Sequence, residues 1–178
     1  MIKNLAFSKY LLAATSCVLI SFPALSDTHI YVSKLITSAD SKVRSDKTVI
    51  VKNNKIMSIK SGKVAGGEDD TFIDLSDYTL MPGFMDMHTH LTSQNEGPAG
   101  YMKRFTNNEA DNAIASVKYA EITLMSGFTT VRNLGDMFNE TVALRNAIKK
   151  GVVVGPRIYT AAKSIATTGG HADPTNGF

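Results

Sequence analysis

Residues 81–90, Met-Pro-Gly-Phe-Met-Asp-Met-His-Thr-His, decide the fold of this chain. Pro82-Gly83 marks a turn into an extended segment. Apolar side chains then occupy both faces of that segment (Phe84, Met85, Met87 and Leu91). A strand that is apolar on both sides is typical of a parallel sheet covered on both faces. The stretch is therefore predicted to be a buried strand that ends in His-x-His.

The two histidines at the end of this strand are candidate metal ligands. Side chains alternate faces along a strand, so His88 and His90 should point to one side, about 6.5–7 Å apart at the backbone, with Asp86 on the same face. Two imidazoles at that spacing can reach one ion, about 2.0–2.1 Å from each nitrogen if it is zinc. A chance pair is the alternative. Against it, polar rings at the end of a buried strand need partners, because unpaired buried polar groups cost free energy.

The first 26 residues have the pattern of a secretory signal peptide. Lys3 and Lys9 precede an apolar run at 11–22, and Pro23-Ala24-Leu25-Ser26 places small residues three and one positions before a cut after Ser26. The run is short for a membrane span, and an uncleaved membrane anchor is the alternative. The mature chain is therefore expected to be periplasmic or secreted, with no membrane contact after cleavage.

The composition is that of a folded protein, with 43% apolar and 20% charged residues. Loss of the leader removes two lysines, so the formal net charge falls from +3 to about +1 (3 − 2), which gives no support for nucleic-acid binding. Cys17, the single cysteine, is lost with the leader, which excludes a disulfide and a thiolate nucleophile in the mature chain. The remaining 152 residues (178 − 26) can bury a core.

Residues 27–80 carry the signals of short strands and are expected to form part of a small β-domain. Apolar segments at 47–51 and 55–60 flank Asn53-Asn54, a pair that tolerates positive φ and suits a two-residue hairpin turn. The segment 61–70 is rich in Gly and charge and predicts a loop. Two further strands are expected at 29–37 and 71–75.

From residue 81 onward, strands alternate with helices. Residues 91–105 predict a long polar connection, and Thr106 with Glu109 predicts a capping box at the start of a helix that Gly127 ends. The stripe of that helix follows helical spacing with one charged interruption (Ala110, Ala113, Ile114, Val117, Glu121, Leu124 and Met125). The later elements are a strand at 128–134, a helix at 139–150 and a strand at 157–165. This β-α-β-α-β order favours a parallel sheet with right-handed crossovers.

Ligands of parallel α/β folds collect at the carboxyl ends of the strands. At the second strand end, Asp136 is interpreted first as a helix cap. At the third, Lys163 is expected to pack its stem in the wall of the sheet and is not interpreted as a metal bridge. His171, between Gly169-Gly170 and Asp173-Pro174, is a candidate substrate-binding residue, and a loop histidine that caps a turn is the equal alternative.

Taken together, these segments resemble the amidohydrolase superfamily of metal-dependent hydrolases. The resemblance rests on VIVKNNKI at 49–56, TLMPGFMDMHTHL at 79–91, SGFTTVRN at 126–133 and GGHADPTNG at 169–177, and it covers nearly all of the mature chain. The last loop is most similar to the branch of imidazolonepropionase-related and Xaa-Pro dipeptidase-like proteins.

The resemblance implies an α/β fold. It implies a β-sandwich segment at 27–80, followed at 81–178 by the N-terminal part of a (β/α)8 TIM barrel with about three βα units. A full barrel takes about 250 residues, whereas 98 residues (178 − 80) follow the β-segment. The chain is therefore interpreted as a truncated, N-terminal piece of a longer enzyme.

The resemblance also implies one or two divalent ions, usually zinc, with His88 and His90 as ligands. In full-length relatives, later strands supply a bridging carboxylated lysine, two more histidines and an Asp that handles the proton. None of these has a counterpart here, so no catalytic residue is expected within the chain. His171 is expected to contact the substrate carbonyl or carboxylate.

The implied function is metal-dependent hydrolysis of an amide or peptide C–N bond, by a dipeptidase of Xaa-Pro type in the full-length form. Its substrate would be a small molecule or a dipeptide. Two alternatives remain open. The chain as it stands is catalytically inactive, since two histidines are too few for a tight zinc site; or the enzyme hydrolyses a cyclic amide, as imidazolonepropionase relatives do. The unpaired strand edges of a partial barrel would also invite self-association into a homo-oligomer.

Overall fold

The computed structural model describes residues 26–40, 42–94 and 97–173. Almost all of the predicted leader (1–25) and the end of the Gly-rich loop (174–178) lie outside the described residues. The chain divides between Leu80 and Met81 into two compact units, each with its own core. Within the described ranges, no helix is long and apolar enough to cross a membrane.

The first unit is a four-stranded mixed sheet. Its strands are β1 (Thr28–Ile36), β2 (Val43–Lys52), β3 (Lys55–Ser61) and β4 (Thr71–Leu80), in the order β3-β2-β1-β4. β2 runs antiparallel to β1 and β3, whereas β4 runs parallel to β1. Buried Val32, Leu35 and Val49 form the core of this unit.

The predicted hairpin turn between β2 and β3 is confirmed. Asn53 and Asn54 have φ values of 50° and 59°, and a two-residue type I′ turn requires positive φ at both central residues. β2 and β4 extend beyond their predicted segments, because both pair along most of β1. Strand pairing sets these ends, so they were not readable from the local sequence.

The second unit is a three-stranded parallel sheet with helical connections. It contains β5 (Phe84–Thr89), α1 (Gly97–Thr106), α2 (Glu109–Met125), β6 (Phe128–Asn133), α3 (Glu140–Lys149) and β7 (Arg157–Thr160). The strand order is β5-β6-β7. Its core consists of buried apolar residues from β6, β7, the helices α2 and α3, and the loop after β5 (Leu91, Ala120, Val131, Leu144 and Ile158).

A helix occupies residues that the sequence assigned to a polar connection. α1 begins at Gly97-Pro98, and proline suits the first turn of a helix because its missing N–H is not needed there. Tyr101 and Phe105 then lie one turn apart, with ring centroids 5.4 Å from each other. An aromatic pair at this spacing adds a few tenths of a kcal/mol to the stability of a helix.

The capping box of α2 lies two residues later than predicted. The Asn108 side chain accepts hydrogen bonds from the Ala110 N–H (2.8 Å) and the Asp111 N–H (3.1 Å). Asp111 returns the contact by accepting from the Asn108 N–H at 2.9 Å. Thr106 does not cap this helix because it is the last residue of α1.

The prediction that the His-x-His strand is covered on both faces is wrong for the described part of the chain. Phe84, Met85 and Met87 are 51%, 68% and 45% exposed. The physical reason is that the described helices pack mainly against β6 and β7, while β5 lies at the lateral end of the sheet and packs mainly on β6.

β7 ends at Thr160, five residues before the predicted end of its strand. Ala162 has a φ of 61°, and an L-residue in this region interrupts an extended strand. Beyond the interruption, a single parallel bridge joins Asp136 to Lys163.

Candidate metal centre

The candidate site lies where the three parallel strands end. Thr89 of β5 is in register with Asn133 of β6, and Asn133 is in register with Thr160 of β7. The segments that follow these residues therefore all leave the sheet at the carboxyl ends of its strands. Open α/β sheets bind their ligands at these strand ends.

The two predicted metal ligands lie together at these strand ends. The rings of His88 and His90 have centroids 5.6 Å apart and an interplanar angle of 67°, and both side chains are exposed. Two imidazoles on one tetrahedral zinc have centroids roughly 5 Å apart, given nitrogens about 2.0–2.1 Å from the ion. The centroid spacing of 5.6 Å is close to that of two rings on a shared divalent ion.

A backbone carbonyl holds the His90 ring. The Nδ1 atom of His90 lies 3.3 Å from the Gly135 carbonyl oxygen, which can only accept, so Nδ1 carries the proton. In the neutral ring, Nε2 is then left with a free lone pair. Metal-binding histidines commonly donate their second ring N–H to a carbonyl in this way, which fixes the tautomer and the ring orientation.

The ligand set within the described residues is incomplete. No group of three or more His, Cys, Asp or Glu side chains gathers there in a way that could hold a metal. Asp86, which the sequence placed on the histidine face, uses Oδ1 to accept from the His88 N–H at 2.9 Å. The described residues therefore fit two ring ligands of a metal site, one short of the three protein ligands of a typical catalytic zinc.

Asn133 fixes the segment that carries His90. It is fully buried, and its Oδ1 accepts from the Leu91 N–H at 2.8 Å, one residue past His90. Its Nδ2 donates to Asp136 Oδ1 at 2.8 Å. One residue before His90, the Thr89 carbonyl accepts from the Leu134 N–H at 3.1 Å. The end of β5 is thus bonded on both sides of the second histidine.

Asp136 caps α3, which confirms the helix-cap interpretation. Its Oδ2 accepts from the Thr141 N–H at 2.9 Å and from the Thr141 hydroxyl. The Thr141 N–H lies in the first turn of α3 and has no acceptor within the helix. Burial raises the pKa of the Asp136 carboxyl, and the Glu140 charge adds to the rise, while the hydrogen bonds from Thr141 and Asn133 oppose it.

This buried carboxyl gives the chain a specific pH dependence. The folded pKa of Asp136 is raised from the ordinary 3.8, so the stability it contributes is full below the unfolded pKa and is lost as pH rises through the folded pKa. The unfolding free energy of the wild type minus that of Asp136→Asn should therefore fall as pH rises above about 3.9, the pKa of an unperturbed Asp, and through the raised folded pKa. Urea titrations across this range measure it, and a difference that grows with pH would contradict the burial argument.

The other two residues singled out by sequence lie apart from the ring pair. The Lys163 side chain is exposed, so the expectation that its stem packs in the sheet wall is wrong; only its backbone is engaged, donating to Asn139 Oδ1 at 2.9 Å. His171 is exposed in a turn in which Asp173 Oδ2 accepts from the Gly169 N–H at 2.7 Å. Within the described ranges, no contact joins His171 to His88 or His90.

Two supporting residues were missed. The Thr141 and Thr160 hydroxyls lie 2.6 Å apart and link α3 to the end of β7. The role of Asn133, which holds the segment that carries His90, was also not predicted. The available signal was Asn133 and Asp136 at a spacing of three, with Thr141 of a helical first turn following shortly after Asp136.

A parallel β-α-β-α-β sheet with two imidazoles at its carboxyl edge defines an α/β protein with a candidate ligand site at the strand ends. A family model described as "Amidohydrolase family" matches residues 79–177, which is more than half of the chain. The chain belongs to this family.

Several relatives extend the comparison. A solved Xaa-Pro dipeptidase with bound methionine in its active site is 41% identical, with a TM-score of 0.75, over 86% of this chain and 37% of that one. Ochratoxinase of Aspergillus niger is 28% identical over 53% of this chain and 19% of its own length. Imidazolonepropionase of Picrophilus torridus is 41% identical over 31% and 14%.

These comparisons confirm the predicted fold class, part of an amidohydrolase barrel preceded by a β-segment. The chain spans less than a fifth of the curated relatives it matches and 37% of the dipeptidase structure.

Proposed function

We propose that this chain supplies the first two metal ligands of an amidohydrolase that cleaves the C–N bond of Xaa-Pro dipeptides. The supporting observation is the similarity to an Xaa-Pro dipeptidase, which extends over both units at an identity high enough to carry more than the fold. A dipeptide or similarly small amide also suits an exposed site at the strand ends. The charged and polar groups of such a substrate stay close to water there.

The roles of the described residues follow from their contacts. His88 and His90 would hold a divalent ion, which we propose to be zinc, through their ring nitrogens. A bound ion supplies Lewis acidity and lowers the pKa of its water toward about 7. The Gly135 carbonyl keeps the His90 Nε2 lone pair available, and Asn133 holds the backbone that carries the ring. His171 remains a proposed substrate contact.

We also propose that the protein is exported and works in the periplasm or outside the cell. The support is the leader pattern at residues 1–26, with a basic start, an apolar run and small residues before Ser26. An exported enzyme would meet peptides and scavenged amides as substrates.

The test of this function uses the complete reading frame that contains this chain. The purified product should release proline from Xaa-Pro dipeptides, lose that activity on treatment with a chelator and regain it with zinc. The variant His88→Ala/His90→Ala should be inactive, whereas Lys163→Ala, an exposed residue away from the ring pair, should keep full activity. Proline release that survives both the chelator and the double substitution would refute the proposal. Cyclic amides tested in parallel separate the imidazolonepropionase-like alternative.

A second candidate is that the 178-residue chain is inactive by itself. Two ring ligands without a third in the described residues favour it, since catalytic zinc usually has three protein ligands. Turnover of an Xaa-Pro dipeptide by the purified chain with added zinc would rule out this second candidate.

A further inference from the structure

Asp27 is the first residue of the mature chain if the leader is cut after Ser26, and its backbone is held from two directions. Its N–H donates to Asp70 Oδ1 at 2.7 Å, and its carbonyl accepts from the Thr71 N–H at 2.9 Å. Its side-chain carboxylate lies 3.1 Å from Lys52 Nζ. The residue at the predicted cut is thus anchored to the loop before β4 and to the end of β2.

The Asp70 carboxylate is itself fixed in place. Its Oδ2 accepts from the Gly67 N–H at 2.7 Å, and the Asp70 N–H donates to the Gly67 carbonyl at 3.1 Å. A Cβ at Gly66 would clash with the Asp70 side chain, so the loop needs glycine there for the carboxylate to fit. The Asp27 N–H, and after it the Gly67 N–H, hold the pKa of Asp70 below its ordinary value. This carboxylate is therefore ionised and oriented toward Asp27 N.

The charges around this point are unbalanced before cleavage. Two carboxylates, those of Asp27 and Asp70, face one ammonium, that of Lys52. The His29 ring also lies beside Asp70, with its Nε2 atom 3.7 Å from Asp70 Oδ2. Its Nδ1 atom donates to the Val64 carbonyl at 3.0 Å. Cutting the Ser26–Asp27 bond turns an uncharged N–H into an α-ammonium at the position that already contacts Asp70.

Building on the export proposed above, we propose that the leader is cut at the Ser26–Asp27 bond and that Asp70 is the built acceptor for the α-ammonium created there. Hydrolysis of this peptide bond adds one water, leaves the Ser26 carboxylate on the leader and gives the mature chain a positive N-terminus. The Asp27 N–H bond to Asp70 already ends on a charged acceptor, and the α-ammonium adds the attraction of an opposite charge to it. Processing therefore strengthens the bond between the start of β1 and the loop before β4.

The first part of the test identifies the terminus. The precursor is expressed with export, and the intact mass of the purified product is measured. The proposal expects a chain that starts at Asp27; a product that starts at another residue overturns it.

The second part measures the coupling between the new amine and Asp70. The mature chain is prepared with a free and with an acetylated N-terminus, each as wild type, Asp70→Asn and the control Asp40→Asn, a carboxylate that pairs with Arg44 instead. Asp70→Asn should lower Tm by about 2–4 °C more in the free-amine chain than in the acetylated one. Asp40→Asn should lower both equally. Equal losses for Asp70→Asn overturn the proposal.

A third measurement does not depend on the variant folding. The α-amine of the wild-type mature chain is titrated by NMR after isotopic dimethylation. A neighbouring carboxylate favours the charged form, so the amine should titrate above its ordinary range of about 7.7–8.0. The extra stability of the free-amine chain should then be present below that range and lost above the raised value. Titration at or below the ordinary range contradicts the ion pair.

Discussion

Replacing Asn133 with alanine is expected to lower the unfolding free energy of the second unit by about 3 kcal/mol. The side chain is fully buried. Its removal leaves the Leu91 N–H and one oxygen of Asp136 without hydrogen-bond partners. Each buried polar group left unpaired costs about 1–3 kcal/mol. Because the two groups can partly relax, we expect less than their sum.

Urea unfolding followed by circular dichroism measures this loss. The matched control is Asn146→Ala, the same substitution at an exposed position of α3, which should change stability by less than about 0.5 kcal/mol. If Asn133→Ala costs no more than Asn146→Ala, Asn133 is not the clamp described here.

Replacing both His88 and His90 with alanine is expected to abolish zinc binding by the chain. The two rings lie 5.6 Å apart by their centroids, and no described side chain completes a group of three that could replace them. The wild-type chain should bind zinc weakly, since a two-ligand site lacks the third protein ligand of a typical catalytic centre.

Equilibrium dialysis with zinc, followed by metal analysis, compares the chains. His171→Ala is the matched control, because it removes an exposed imidazole from a turn that makes no described contact with the ring pair. It should bind as the wild type does. Zinc binding that persists in the double variant, or that disappears with His171→Ala, would place the metal elsewhere.

The sequence predicted the elements whose signals are local. His-x-His at the end of a strand, the Asn53-Asn54 turn and the left-handed Gly127 at a helix end are all present. Each depends on a few neighbouring residues and on backbone preferences that tertiary contacts do not override.

Local signals failed where two solutions compete. Two possible capping boxes lie two residues apart in the sequence, one formed by Thr106 with Glu109 and the other by Asn108 with Asp111. The second forms, and Thr106 is instead the last residue of α1. The sequence of the first box does not show that α1 extends through Thr106, the capping residue of that box.

Burial failed where it depends on neighbouring elements. Periodicity placed Ile114 and Met125 on the packed stripe of α2, yet they are 73% and 77% exposed, while Ser116 and Ala120 are buried. The contact of Asn133 with Leu91 depends in the same way on β5 and β6 being adjacent. Spacing along the chain predicts a face, but only the packing partner decides which face is covered.

We propose that His88 and His90 share one ion through their ring nitrogens, with Nε2 of His90 left free because the Gly135 carbonyl accepts from its Nδ1–H. Ring-nitrogen NMR of the histidine-labelled chain, with and without zinc, tests it most directly, because the chain has only four histidines. Without metal, His90 should show the Nδ1–H tautomer. Added zinc should shift Nε2 of His90 and one ring nitrogen of His88 together and leave His29 and His171 unchanged. Zinc that leaves both rings unaffected, or that shifts all four alike, would contradict the account.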